Sequence, residues 1–222
     1  MLDLAGRPML ERVVNRVRRS KTVSNVVIAT TIQPGDDTIV DLCESHGWKY
    51  FRGSETDVLD RYYQAASTFK ADIVVRITAD CPLIEPEIID TVVNEFLSVY
   101  RDADYVSNTL IRTFPRGLDV EVISYTALSK AWQEDHDPAS REHVTPYIWR
   151  RPEKFRIRNV ANDRDYSYMR WTVDTAEDMA FVRKIYDYFK NDTFSRREVL
   201  ELLKVHSEWL EINRDVQQKM VP

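Results

Sequence analysis

The sequence predicts an α/β fold with a mostly parallel sheet covered by helices on both faces, and three observations carry that reading. Segments of helical and extended periodicity alternate from the N-terminus to about residue 100. The extended segments are short β-branched runs such as Ile73-Val74-Val75, the composition of strands buried on both faces of a parallel sheet. Two of these runs lead to an aspartate, Asp80 and Asp174, and open α/β sheets bind ligands at the carboxyl ends of their strands. The 222 residues suit one such domain with a small appendage and a sizeable core.

Pro8 suits the first position of a helix, and Met9, Leu10, Val13, Val14 and Val17 follow at helical spacing. Residues 25–30 read as a short buried strand. Gly35-Asp36-Asp37 then leads into a helix with Ile39, Val40, Leu42 and Cys43 on one side, and Gly47 is placed to end it. A strand is expected over 48–51. Ser54 and Asp57 have the capping-box spacing for a helix carrying Val58, Leu59, Tyr62, Tyr63 and Ala66. After the strand leading to Asp80 comes a helix over 86–100. Strands are expected over 104–108 and 118–123, and in the second the alternation of apolar with acidic residues predicts one acidic face open to solvent or ligand. A helix over 125–134, an edge strand over 155–160 and a short strand over 170–174 follow. Thr175 and Asp178 are spaced to cap a long helix through Phe189, and 195–213 reads as one or two polar helices.

A net charge of −5 gives no general attraction to nucleic acid, which leaves room only for a local basic pocket. Cys43 and Cys81 form neither a disulfide framework nor a zinc pattern and read as two reduced thiols. No apolar run approaches the roughly 20 residues of a membrane helix, and no signal-peptide pattern opens the chain. A cytoplasmic protein with no membrane partner is expected.

Asp80 reads either as a cap on the turn before the next helix or as a catalytic acid or metal ligand. Asp174 raises the second reading: two strand-end acids can converge on one crevice and hold Mg²⁺ together with substrate phosphates and water. Arg76, Arg116 and Arg170 are candidates for binding an anion, because guanidinium matches phosphate or carboxylate bidentately. Asp119 and Glu121 share a strand face that suits a hydroxyl-rich sugar or a cation, or is simply solvated. Arg141-Glu142-His143 offers a base or phosphate ligand in His143, or a surface ion pair beside a histidine. Walker, G-x-G-x-x-G, H-E-x-x-H and G-x-S-x-G patterns are absent from the sequence.

Several blocks then occur in order: Leu2-Asp3-Leu4-Ala5-Gly6-Arg7-Pro8, Phe51-Arg52-Gly53-Ser54-Glu55, Arg76-Ile77-Thr78-Ala79-Asp80-Cys81-Pro82, Gly117-Leu118-Asp119-Val120-Glu121, Arg141-Glu142-His143-Val144-Thr145-Pro146-Tyr147 and Arg170-Trp171-Thr172-Val173-Asp174. From residue 2 to about 190 the chain resembles the spore coat polysaccharide biosynthesis protein SpsF family, whose members are similar to the cytidylyltransferases that make CMP-activated sugar acids. The resemblance implies a three-layer nucleotide-diphospho-sugar transferase fold. It also implies transfer of CMP from CTP to a sugar or sugar acid with release of pyrophosphate, in surface polysaccharide biosynthesis. On this reading Asp80 and Asp174 hold Mg²⁺ against the triphosphate, with Arg76 and Arg170 fixing phosphate or sugar carboxylate. Asp119, Glu121, Arg141, Glu142 and His143 are candidates for the sugar side. Residues 1–190 would form the catalytic domain, with a dimerisation arm over about 115–160 of a homodimer, and 191–222 a C-terminal helical extension.

In members of that family a strand and a loop resembling Q-A-R-M-x-S-x-R-L-P-G-K come before the block found here at Met1-Leu2-Asp3-Leu4, and this sequence does not contain them. An internal start or a lost activity, a gap in the sheet and weak or no turnover are therefore expected. Two other readings stay open: a catalytically silent protein of this fold that binds a pathway partner, and a glycosyltransferase that uses a finished nucleotide sugar.

Overall fold

The chain opens with a small hairpin in which β1 (Asp3–Leu4) pairs antiparallel with β2 (Arg7–Pro8), in a computed structural model that describes residues 1–99 and 102–218. Ala5 and Gly6 between them have φ of 53° and 82°, the positive pair that a tight two-residue hairpin turn requires. α1 (Met9–Val17) begins one residue later than expected, because Pro8 finishes β2 and flanks the helix. Its apolar face is anchored by arginines as well as valines. Arg16 is only 1% exposed, and it donates to the carbonyls of Ile84 (2.6 Å) and Asp192 (2.9 Å) and pairs with Glu85.

β3 (Val27–Thr31) and β4 (Lys49–Gly53) pair in parallel, with α2 (Asp37–His46) in the connection between them. Gly47, at φ 63°, ends α2 in the left-handed conformation that glycine adopts without penalty. α3 (Val58–Thr68) is capped by Asp57, whose carboxylate accepts from the Asp60 amide, whereas Ser54 accepts from the amide of Asp57; the capping residue is thus Asp57 and not Ser54.

A second sheet has the order β5 (Ile73–Arg76), β7 (Glu121–Ser124), β6 (Tyr105–Ser107), β8 (Ile157–Asn159). β6 and β8 are parallel, β7 runs against both of its neighbours, and β8 is an edge strand. β7 starts at Glu121 rather than Leu118 because the Asn108 side chain brackets the preceding residues, donating to the Leu118 carbonyl (2.7 Å) and accepting from the Val120 amide (2.9 Å). A side-chain amide here replaces the rungs of a ladder.

Among the described residues no hydrogen bond links β3 to β5, so the two sheets are separate, and helices cross from one to the other. On one face Val13 and Val17 of α1 share the main core with Ile88 and Ile89 of α4 (Pro86–Ser98), while Val14 packs with Cys43 and Trp48. α3 likewise touches β3 and β4 as well as α5 (Tyr125–Glu134) and α6 (Pro138–His143). Ile73, Val74 and Val75 are only half-buried, in contrast to the full burial that their composition predicts, since β5 has a partner strand on one side alone. Tyr100, at the expected end of α4, lies outside the described residues.

After α7 (Pro146–Trp149) and β8, α8 (Ala176–Phe189) begins with a complete capping box between Thr175 and Asp178. α9 (Arg196–Val205) and a 3-10 turn over Ser207–Glu211 complete the described chain, and Phe194, Val199 and Leu203 join the main core. Among the described residues no helix is long and apolar enough to cross a membrane.

Candidate active site

Neither acid ends a strand. β5 stops at Arg76, and Asp80 lies four residues on, in a turn that the Cys81 amide closes onto the Thr78 carbonyl (3.3 Å). Residues 170–174 form no strand either. Their one sheet-like contact is a parallel bridge with Arg116, in which the Arg116 amide donates to Met169 (3.0 Å) and the Trp171 amide to Arg116 (2.6 Å). Gly117 makes this approach possible: at φ 100°, a Cβ there would sit 2.5 Å from the Thr172 amide nitrogen. The next residues then turn toward the other acid. The Asp80 carbonyl accepts from the Val173 amide (2.8 Å) and the Thr172 hydroxyl (3.2 Å), which joins the segments carrying Asp80 and Asp174.

The carboxylates are held by different groups. Asp80 accepts through Oδ1 from the Thr78 hydroxyl and from the Cys81 thiol (3.4 Å). Burial, followed by the charge of Asp80, pushes the Cys81 thiol well above its ordinary value, so it stays a protonated donor. Asp174 accepts through Oδ2 from Arg170 (2.6 Å), and its side chain is 45% exposed. Behind both stands Asp178, fully buried, which takes Arg170 through two bonds (2.8 and 2.9 Å), Asn213 (2.9 Å) and the Asp174 amide (3.0 Å). Burial alone would raise its carboxyl; the hydrogen bonds from Arg170 and Asn213 outweigh that and hold it below the ordinary carboxylate range.

Asp80 Oδ2 and Asp174 Oδ1 accept no hydrogen bond among the described residues. Two carboxylate oxygens on adjoining segments suit Mg²⁺, which takes one or two carboxylates and completes its shell with water and substrate phosphates. Among the described residues no cluster of three or more His, Cys, Asp or Glu forms a closed metal cage. The donor set therefore fits a cation that arrives with its substrate.

The other candidates fall into two groups. Arg76 pairs with Glu121, which is 6% exposed and also accepts from the Tyr105 hydroxyl (2.5 Å) and the Thr145 hydroxyl (2.7 Å). The acidic face expected to be open is thus turned inward at Glu121, because Arg76 on the neighbouring strand supplies its counter-charge. Asp119 is engaged by Arg112 through two bonds (2.5 and 2.8 Å). Arg141 is a fastener: it grips Asp57 at the start of α3 (2.9 Å) and the carbonyls of Trp132 and Asp135. Glu142 is exposed and His143 half-buried, and neither side chain has a hydrogen-bond partner among the described residues. Thr145, two residues beyond His143, reaches Glu121 (2.7 Å), whereas His143 itself makes no such contact.

The mixed α/β scaffold, with the segments carrying Asp80 and Asp174 joined beside it, defines the class as nucleotidyltransferase. The chain belongs to the cytidylyltransferase family, whose model matches residues 1–220. The spore coat polysaccharide biosynthesis protein SpsF of Bacillus subtilis is 30% identical over 190 residues, covering 82% of this chain and 77% of the relative. A 3-deoxy-manno-octulosonate cytidylyltransferase of Koribacter versatilis is 33% identical over 110 residues, 49% of this chain and 39% of that one. Among solved structures, a cytidylyltransferase from Leptospira borgpetersenii superposes with a TM-score of 0.91 at 33% identity, covering 99% of this chain and 91% of its own. The fold is that of the nucleotide-diphospho-sugar transferases.

Proposed function

We propose that this protein transfers CMP from CTP to a hydroxyl of a sugar or sugar acid, releasing pyrophosphate, and that its product feeds a surface polysaccharide. The observation that carries the reading is the bond from the Val173 amide to the Asp80 carbonyl, which joins two acid-bearing segments so that each presents one uncommitted carboxylate oxygen. Asp80 and Asp174 would hold Mg²⁺, which when bound neutralises charge on the α-phosphate and the leaving group. Arg170, clamped by Asp178, holds Asp174 through Oδ2 and would leave Oδ1 to the metal. His143, half-buried and without a side-chain partner among the described residues, would take the proton of the acceptor hydroxyl, with Glu142 on the sugar side. The reaction needs the acceptor oxygen in line with the leaving pyrophosphate, so positioning supplies most of its rate. The names of two relatives support the acceptor class: one acts on 3-deoxy-manno-octulosonate and the other serves polysaccharide biosynthesis. We place the reaction in the cytoplasm and assign the 115–160 region to a homodimer contact.

Titration of CTP with Mg²⁺, followed by heat, tests the reading on residues 1–222 and on a form extended at the N-terminus by the first strand and loop of a relative. The extended form binds saturably, and both Asp80→Asn and Asp174→Asn abolish the Mg²⁺-dependent part. Absence of binding by the extended form sinks the proposal. Pyrophosphate release from CTP with 3-deoxy-manno-octulosonate as acceptor is measured on both forms.

A further inference from the structure

Of the three arginines that the sequence singles out for anions, two are already neutralised inside the protein. Arg76 is paired with Glu121, and Arg170 is held by Asp174 and Asp178. Arg116 is different. Its guanidinium is half-buried and has no hydrogen bond or ion pair among the described residues. Asp119 is already engaged by Arg112, and Asp174 Oδ2 and Asp178 by Arg170. Burial, followed by the repulsion of Arg112, lowers its pKa, and the attraction of Asp119 and Asp174 offsets only part of that. A half-buried cation without a directly bonded counter-ion is costly unless something supplies the missing contact.

Arg116 also faces a cavity. The C-terminal segment folds back over Arg170, with Asn213 donating to the Arg170 carbonyl and to Asp178 (both 2.9 Å) and Gln218 accepting from the Arg170 guanidinium. Between this segment and the Arg116 bridge lies a space of about 430 Å³ whose lining includes Arg116, Tyr168, Arg170, Asn213 and Arg214, together with Glu211, whose carboxylate Arg214 already engages. Small-molecule sites begin at about 300 Å³, so the space suits a ligand of monosaccharide size. Tyr168, 71% exposed, offers a ring at its mouth, and the surrounding amide and guanidinium groups suit hydroxyls.

We propose that Arg116 anchors the anionic group of a small hydroxylated ligand, a carboxylate or a phosphate carried on a sugar, in this cavity. The anion site stands on Arg116 and the cavity alone; its assignment to the acceptor rests on the nucleotidyl-transfer reading. Because Arg170 both lines the cavity and bonds Asp174, a ligand seated here lies one guanidinium from the candidate metal carboxylate.

Binding is measured by calorimetry in Mg²⁺-free buffer containing a chelator, with 3-deoxy-manno-octulosonate, mannose 6-phosphate and neutral mannose as probes. At least one charged probe binds and mannose does not, and which of the two binds identifies carboxylate or phosphate as the anchored group. Arg116→Gln weakens the charged probe by roughly ten- to a hundredfold, the worth of one charged hydrogen-bonded contact. Arg116→Lys recovers part of that loss. Removing an uncompensated cation leaves the unliganded melting temperature of Arg116→Gln unchanged or higher, whereas the charged probe raises that of the wild type alone. Mg²⁺–CTP binding by the extended form survives the substitution, so failure here and failure of the transferase reading are separate results. Equal binding of the charged probe to wild type and Arg116→Gln, equal binding of mannose and the charged probes, or binding of neither charged probe, overturns the proposal.

Discussion

Asp178 illustrates how much one side chain can organise beyond its local role. Its spacing from Thr175 marks it as a helix cap, and the cap forms; yet its two oxygens also receive Arg170, Asn213 and the Asp174 amide. No periodicity encodes those partners, since Asn213 arrives from the far end of the chain. Arg112 and Asn213 went unread for the same reason, and Glu121 was misplaced as an open acid because its neutralising Arg76 belongs to a neighbouring strand. Because the Asp178 carboxyl is held below its unfolded value near 3.8, it adds stability that is present above that pH and is lost as pH falls through the lower folded value. Asp178→Asn keeps the shape but removes the charge paired with Arg170, costing about 2–4 kcal/mol at neutral pH. Urea unfolding at steps from pH 7 to pH 2 shows the gap between wild type and variant narrowing below about pH 4, where the wild type loses the contribution that the variant never had. A gap that stays constant across this range would refute the linkage.

Helices were legible where apolar residues recur at 3.6-residue spacing and a capping residue marks the start, as in α5 and α8, whose bounds match expectation. Strands were less so. Residues 170–174 have strand composition, but strand pairing depends on which backbone lies alongside, and here Thr172 and Val173 spend their donors on the Asp80 carbonyl. The element that sets this up is the Arg116–Gly117 bridge. Gly117→Ala places a methyl against the Trp171 and Thr172 backbone at a φ of 100°, so the 116–119 and 170–174 segments must part. A loss of at least about 2 kcal/mol is expected, from backbone strain and the broken bridge together. The Mg²⁺-dependent part of CTP binding by the N-terminally extended form weakens in parallel, because the Asp80–Val173 contact depends on the same approach. Gly35→Ala, where nothing lies within 4 Å of the added Cβ and φ is not positive, is the control and leaves both measurements in place.

At the scale of the whole molecule, the order of helices and strands was readable and the expected gap in the sheet lies between β3 and β5, while the antiparallel course of β7 was not readable, because a run of β-branched residues specifies a strand without specifying its neighbours or direction. β7 has a hydrogen-bonded strand on each side, whereas among the described residues β3 pairs only with β4 and β5 only with β7. The half-burial of Ile73, Val74 and Val75 follows from the same geometry. Stability should therefore be uneven across the molecule. Amide hydrogen exchange monitored by NMR should find the β7 amides of Val122 and Ile123 protected to near the global unfolding free energy, and the amides of β3 and β5 exchanging through more frequent local opening. α1 and α3 already cover both sheets from either side, so a single apolar strand bonded to β3 and β5 would close the edges without rearranging either helix. Extension of the N-terminus by such a strand then raises protection in β3 and β5 selectively and leaves β7 nearly unchanged. Equal protection of all three strands in residues 1–222 would mean that α1 and α3 alone secure the edges, and that the two sheets already open as one unit.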